Sequence, residues 1–165
     1  MIKARLKTDP KFMTTIEIDG HTQILDEPVS LGGNNQGPTP VQNVYSALAG
    51  CICMTLRMYA DAKKIPLEQV HVDIQAEKKR VDSVDERFKD KPWMIDKGQV
   101  RFIHAYILVT GKLTPGQVQK LDVIAGKCPV HKMLKHGAMI THDTIHGAQS
   151  VNGQTVQTKA NQSPA

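Results

Sequence analysis

The chain has 165 residues and a mass of 18.2 kDa, with 40% hydrophobic and 22% charged residues. That is the size of one domain and the composition of a globular one, so a disordered chain is excluded and no metal or disulfide staple is needed for folding. The formal charge of +5 would admit a polyanionic partner, but the basic residues alternate with acidic ones and aromatics for stacking are few, so no nucleic-acid partner is expected.

In chain order, residues 2–7 alternate, with Ile2, Ala4 and Leu6 on one face and Lys3, Arg5 and Lys7 on the other. Period two predicts a half-buried strand. Asp9-Pro10 marks a turn, residues 12–18 alternate again, and Asp19-Gly20 is a hairpin signal that returns His21–Leu25 as a third strand. Residues 26–38, DEPVSLGGNNQGP, read as a linker, because they lack the lysine and the strand–helix context of a phosphate loop. Thr39 then predicts an N-cap, Pro40 the N1 position and Gln42 the return arm of a capping box. The helix they open should run to Lys63 or Lys64, before Pro66, about 24 residues and about 36 Å at 1.5 Å per residue. Its middle, ALAGCICM, carries no charge on any face, which predicts a central, buried helix.

Val70–Ala76 alternate as a further strand, residues 80–98 read as a long loop or hairpin tip around Pro92-Trp93, and residues 99–110 form the longest strand. Thr114-Pro115 opens a helix through Val118, Leu121, Ile124 and Ala125, and Cys128-Pro129 opens a shorter one ending at Gly137. Met139–Ile145 should be the last strand. From Gly147 the composition is that of a polar, flexible tail. The expectation is an α+β protein: one domain over 1–146 and a tail over 147–165. No apolar run approaches the roughly 20 residues of a membrane span, so no membrane partner is expected. The opening MIKARLKTD has no apolar signal core, which makes the expected location cytoplasmic.

Chemistry concentrates in three cysteines. Cys51 and Cys53 stand about 200° apart around one helix, so they cannot bridge each other and at most one can share a site with Cys128. Cys128 falls at a helix N-cap, where free amides and the positive dipole end favour a thiolate. Cys51 lies in an apolar stretch, where burial raises a thiol, so its activation calls for a cation from elsewhere. A zinc site from Cys128, His131, His142 and His146 is disfavoured. The last two would lie about 13 Å apart on a strand. No metal and no bound cofactor are expected.

Three pieces, the GPTP helix start, ALAGCICMTLRMYA and CPVHK, resemble the OsmC/Ohr family of organic hydroperoxide reductases and their osmotically inducible relatives. The resemblance spans about Arg5 to Ile145. It implies the OsmC-like fold: an N-terminal meander, a long central helix bearing a cysteine, a second hairpin, two further helices and a final strand, as an intertwined homodimer. It also implies a thiol-dependent peroxidase, with Cys51 and Cys128 as the catalytic pair and Cys53 where relatives carry a small residue. The substrate would be a small organic peroxide and the reductant an external dithiol. Active relatives add an arginine that steadies the thiolate and a helix carboxylate that orients it. Val41 and Gln42 occupy the carboxylate's place, so Gln42 would offer only a neutral acceptor, and Arg5 and Lys11 are the N-terminal candidates for the cation. The other reading is a non-enzymatic OsmC-like protein that senses redox state or binds a small ligand.

Overall fold

The computed structural model describes residues 1–6, 9, 11–81, 86–89, 91–142, 144–146 and 158–159. The expectations for Lys7, Pro10 and most of the tail from Gly147 fall outside them. The opening is a three-stranded antiparallel meander of β1 (Ile2–Leu6), β2 (Thr14–Ile18) and β3 (His21–Leu25). Asp19 and Gly20 both take positive φ, 44° and 90°, the mirror-image turn that a right-twisted two-residue hairpin requires. The meander packs mainly on itself, and every residue of β1 is exposed. Gln23 ties it to the helix that follows, its Nε2 donating to Asn43 Oδ1 at 2.7 Å.

Residues 26–38 are more than a linker. Asp26 is 2% exposed and accepts backbone N–H groups from Glu27 at 2.8 Å, Asn34 at 3.0 Å and Gln36 at 3.1 Å. The Gln36 amide does most to hold this carboxyl below the ordinary aspartate range. Burial opposes it, and the Glu27 and Asn34 amides add to it. The glycines let the loop fold back on itself: a Cβ on Gly33 would stand 1.9 Å from the Glu27 carbonyl oxygen. A sequence pattern shows turn residues here. It does not show that one carboxylate gathers three amides from across the loop.

Helix α1 (Pro40–Ala62) begins as its cap residues predict, with both arms of the Thr39–Gln42 capping box in place. Its burial differs from expectation. Only the i, i+4 stripe Leu48, Ile52, Leu56 and Ala60 is buried, while Val44, Met54 and Met58 are 42%, 69% and 72% exposed. One antiparallel sheet can cover only one side of a helix. That sheet has the order β4–β6–β5, with β4 (Leu67–Arg80) pairing β6 (Gln99–Gly111) along almost its whole length. The strand thus extends beyond the apolar alternation into Glu77-Lys78-Lys79-Arg80, because the ladder, not side-chain burial, holds its far end. Within the expected long loop lie two short helical turns, Glu86–Phe88 and Pro92–Met94, and a short strand β5 (Ile95–Asp96) that pairs back onto β6.

Helix α2 (Pro115–Ala125) is capped by Thr114 and contributes Leu121, Ile124 and Ala125 to the core. Helix α3 (Pro129–His136) follows at once, with Cys128 as its N-cap. Of the expected strand over Met139–Ile145, the described residues from Met139 to His142 and Thr144 are in no strand, and Ile145 opens β7 (Ile145–His146), which pairs with β8 (Thr158–Lys159). Among the described residues no strand pairs with 137–142, and Met139 and Ile140 stand 95% and 86% exposed. An extended segment becomes a strand only when a neighbour completes the ladder.

Asp26→Asn should lower the melting temperature, because an amide nitrogen must then face a backbone donor. The sign with pH follows from the depressed carboxyl: its stabilisation is present above the unfolded aspartate range and is lost as pH falls through the folded value. Thermal melts between neutral and acid pH should therefore show the mutant's deficit shrinking towards low pH. A deficit that persists unchanged into acid would mean that the charge does not organise the loop.

Candidate active site

The site forms where α3 docks on α1. Cys128 is wholly buried at the N-cap of α3, with φ −55° and ψ 135°. Its Sγ accepts the His131 backbone N–H at 3.4 Å, the bond an N-cap oxygen would normally take. Cys51 is half-buried on the flank of the α1 stripe and packs against the same core. The thiols of Cys51 and Cys128 are close enough to shift each other's ionisation, and none of the three cysteines is in a disulfide. Cys53 points elsewhere, with its thiol 3.9 Å from the Val70 carbonyl oxygen on β4.

The electrostatics separate the pair. Burial works to raise the Cys51 thiol. Three hydrogen bonds outweigh it, from the Cys128 thiol, the Val130 backbone N–H and the Thr55 side chain, and leave Cys51 below the ordinary thiol range. Burial pushes the Cys128 thiol up, and its bond to Cys51 pushes it further, so Cys128 keeps the proton and donates. This corrects the expectation that the helix N-terminus favours a thiolate on its own cap residue. The Val130 amide serves both sulfurs and the His131 amide serves Cys128. Burial outweighs them at the deeper sulfur, so Cys51 is the thiol that ionises first.

The other candidates have partners elsewhere. Arg5 Nη1 pairs with Glu17 Oε1 at 3.0 Å on the exposed face of the meander. The Lys11 ammonium lies over the Phe12 ring, 4.9 Å from its centroid. Gln42 is engaged in the cap, its Oε1 accepting the Thr39 N–H at 2.8 Å. Arg57, on α1 itself, reaches the Leu67 carbonyl at 2.5 Å and Asp61 at 2.6 Å. Within the chain the Cys51 sulfur is therefore met by dipoles rather than by these cations. Residue-level reading missed Thr55 and Val130. Thr55 was legible as the i+4 neighbour of Cys51 on a helix. The Val130 amide was not, since nothing local says which way α3 docks. Among the described residues, no three histidine, cysteine, aspartate or glutamate side chains are grouped as a metal's ligands would be.

A family model described as OsmC-like protein matches residues 33–143. No curated protein sequence matches the chain. Among solved structures, the fold is similar to an OsmC-like protein from Mycoplasma pneumoniae, with 20% identity over 82% of this chain and 86% of that one and a TM-score of 0.61. It is similar also to an organic hydroperoxide resistance protein from Legionella pneumophila, at 22% identity over 82% and 88% of the two chains, TM-score 0.57. A third is the organic hydroperoxide resistance protein OhrB of Bacillus subtilis, at 20% identity over 82% and 89%, TM-score 0.50. At these identities the likenesses establish the fold.

Alkylation of Cys51 by iodoacetamide should titrate at lower pH in the folded protein than in a peptide of the same sequence. Cys128→Ala removes one donor to the thiolate, so the profile should move to higher pH and the rate at neutral pH should fall. Mass spectrometry of the alkylated Cys51 peptide against pH checks this. A profile that Cys128→Ala leaves in place would remove the thiol–thiolate bond from the account.

Proposed function

This chain is a member of the OsmC-like family, and on that premise we propose that it is a thiol-dependent peroxidase acting on small organic hydroperoxides, with Cys51 as nucleophile and Cys128 as resolving thiol. The observation that carries the reading is the adjacent, unbridged Cys51–Cys128 pair at the α3 N-terminus, with ionisation favoured at the more accessible sulfur. The Cys51 thiolate attacks the peroxide's terminal oxygen. The O–O bond breaks, an alcohol leaves after taking up a proton, and Cys51 becomes a sulfenic acid. The Cys128 sulfur then attacks the sulfenic sulfur, the S–S bond forms, and water leaves. An external dithiol restores both thiols and is itself oxidised to a disulfide. Met54 and Met58, at i+3 and i+7 from Cys51, put exposed apolar surface on its side of α1, which suits an organic peroxide better than a hydrated one.

The same surface supports the proposal of a homodimer. Val44, Met54 and Met58 on α1, Ile2 and Leu6 on β1, and the Met139-Ile140 segment are all exposed. Large apolar side chains exposed on three separate elements are what an interface between copies would cover. A second copy would cover α1, supply an edge for 137–142, and bring a cation from its own chain to Cys51. The non-enzymatic reading draws on a different observation, the occupation of the carboxylate's place by Val41 and Gln42 and the engagement of Gln42 in the cap.

Peroxide consumption driven by dithiothreitol separates the two readings. With cumene hydroperoxide, turnover should be lost in Cys51→Ser, fall about tenfold in Thr55→Val through loss of one hydrogen bond to a charged sulfur, and persist in Cys53→Ser. Peptide maps after one equivalent of peroxide should show a Cys51–Cys128 bridge. A dominant Cys53–Cys128 bridge, or no turnover with either alkyl peroxide or hydrogen peroxide, would overturn the assignment. Sedimentation at micromolar concentration should give a dimer, and a well-folded monomer there would contradict the proposed assembly.

A further inference from the structure

A cavity of about 310 Å³ opens beside the thiols, between α1, β6, α3 and the segment before β5. Its size is at the lower end of the roughly 300–1,000 Å³ that small-molecule sites occupy. Ile52, Phe88, Phe102, Ile103 and Leu134 give it apolar walls. Its polar lining is of one kind: Arg101, Lys135 and His131, with no carboxylate among the described lining residues. Arg101 is held in place, one Nη1 donating to the Tyr45 hydroxyl at 2.7 Å, which leaves the other side of its planar fork to a ligand. Neither Cys51 nor Cys128 lines the cavity, so a molecule seated there is not the one whose peroxide bond is attacked.

We propose that this cavity is a binding site for an apolar monocarboxylate, its chain against the phenylalanines and its carboxylate on Arg101 and Lys135. Both cations are exposed at the edge of an apolar pocket and no carboxylate among the described residues pairs with either, so a bound carboxylate gains charge-assisted bonds, bidentate on the Arg101 fork. A neutral chain of equal length gains only the apolar contact. The site adjoins the thiols through one element. The His131 side chain lines the cavity, while the His131 backbone N–H holds the Cys128 sulfur. The ligand therefore binds a helix whose N-cap is Cys128, and it binds without being consumed. The inference does not rest on peroxidase activity.

The test uses the full chain, reduced, without peroxide. Decanoate, decanol and decyltrimethylammonium are titrated by calorimetry below their micelle concentrations. Trp93, the only tryptophan, precedes the lining residue Met94, so its emission gives a second readout. Decanoate should bind at least tenfold more tightly than decanol, and the cation should not bind. Arg101→Gln should bring decanoate down to about the decanol level, and Arg101→Lys should restore part of the preference. Lys135→Gln, on an exposed helical position, serves if Arg101→Gln fails to fold, and should lower the preference severalfold. Cys51→Ser should leave decanoate affinity unchanged, whatever it does to turnover. Equal binding of acid and alcohol, a preference that survives the substitutions, or no binding because a second copy fills the cavity would each overturn the proposal.

Discussion

The contact on which the rest of the molecule depends is the packing of one stripe of α1 against the β4–β6 sheet. Leu56 and Ala60 have no exposed surface, and Leu48 and Ile52 almost none. Apolar side chains of β4 and β6, from Val70 and Val72 to Ile107 and Val109, close over that stripe. Burying side chains of this size contributes about 1.5–3 kcal/mol each, which makes the stripe the largest cohesive element in the chain. Once it is seated, the rotation of α1 about its axis is decided. Cys51 then lies on the flank towards α3, and Cys53 is turned to the sheet, near the Val70 carbonyl.

The site follows from that rotation and from one further docking event. Helix α2 carries Leu121, Ile124 and Ala125 into the same core and delivers Cys128 to the α1 surface two residues after its C-cap. A proline directly after Cys128 commits the chain to a new helix, whose first amides have no partners of their own. They find two sulfurs. The two thiols then differ for reasons of depth: the wholly buried one holds its proton more tightly and the half-buried one is the better thiolate. Thiolate activation in this chain thus begins with dipoles and a neighbouring thiol. A guanidinium brought by a second copy would add to that arrangement rather than create it.

Much of the fold was legible because its signals are local. The Asp19-Gly20 turn requires positive φ at two adjacent residues, and few dipeptides accept that. The Thr39–Gln42 and Thr114-Pro115 caps satisfy amides within one turn of themselves, so their residue types are written where the structure uses them. The loop at Asp26 was read as a linker because its bonds reach eight and ten residues ahead, to Asn34 and Gln36. No periodicity records such reach. The expected strand at Met139 had apolar, extended residues, but an extended pattern carries no statement of which strand lies beside it.

By itself the sequence determined the order of the three helices and the five longer strands, the ends of the helices, the opposite facing of Cys51 and Cys53 and, through three short motifs, the family. These are properties of neighbours along the chain, set by steric limits on φ and by helical geometry. Only the tertiary structure decided that α1 buries one stripe instead of every face. It also decided that Val130 and Thr55 join the site, and that the Cys51 thiol is held below the ordinary range and the Cys128 thiol above it. The physical reason is that burial and hydrogen-bond competition depend on what arrives from distant parts of the chain. A thiol's ionisation is set by the few ångströms around its sulfur, and only the docking of α3 on α1 fills them.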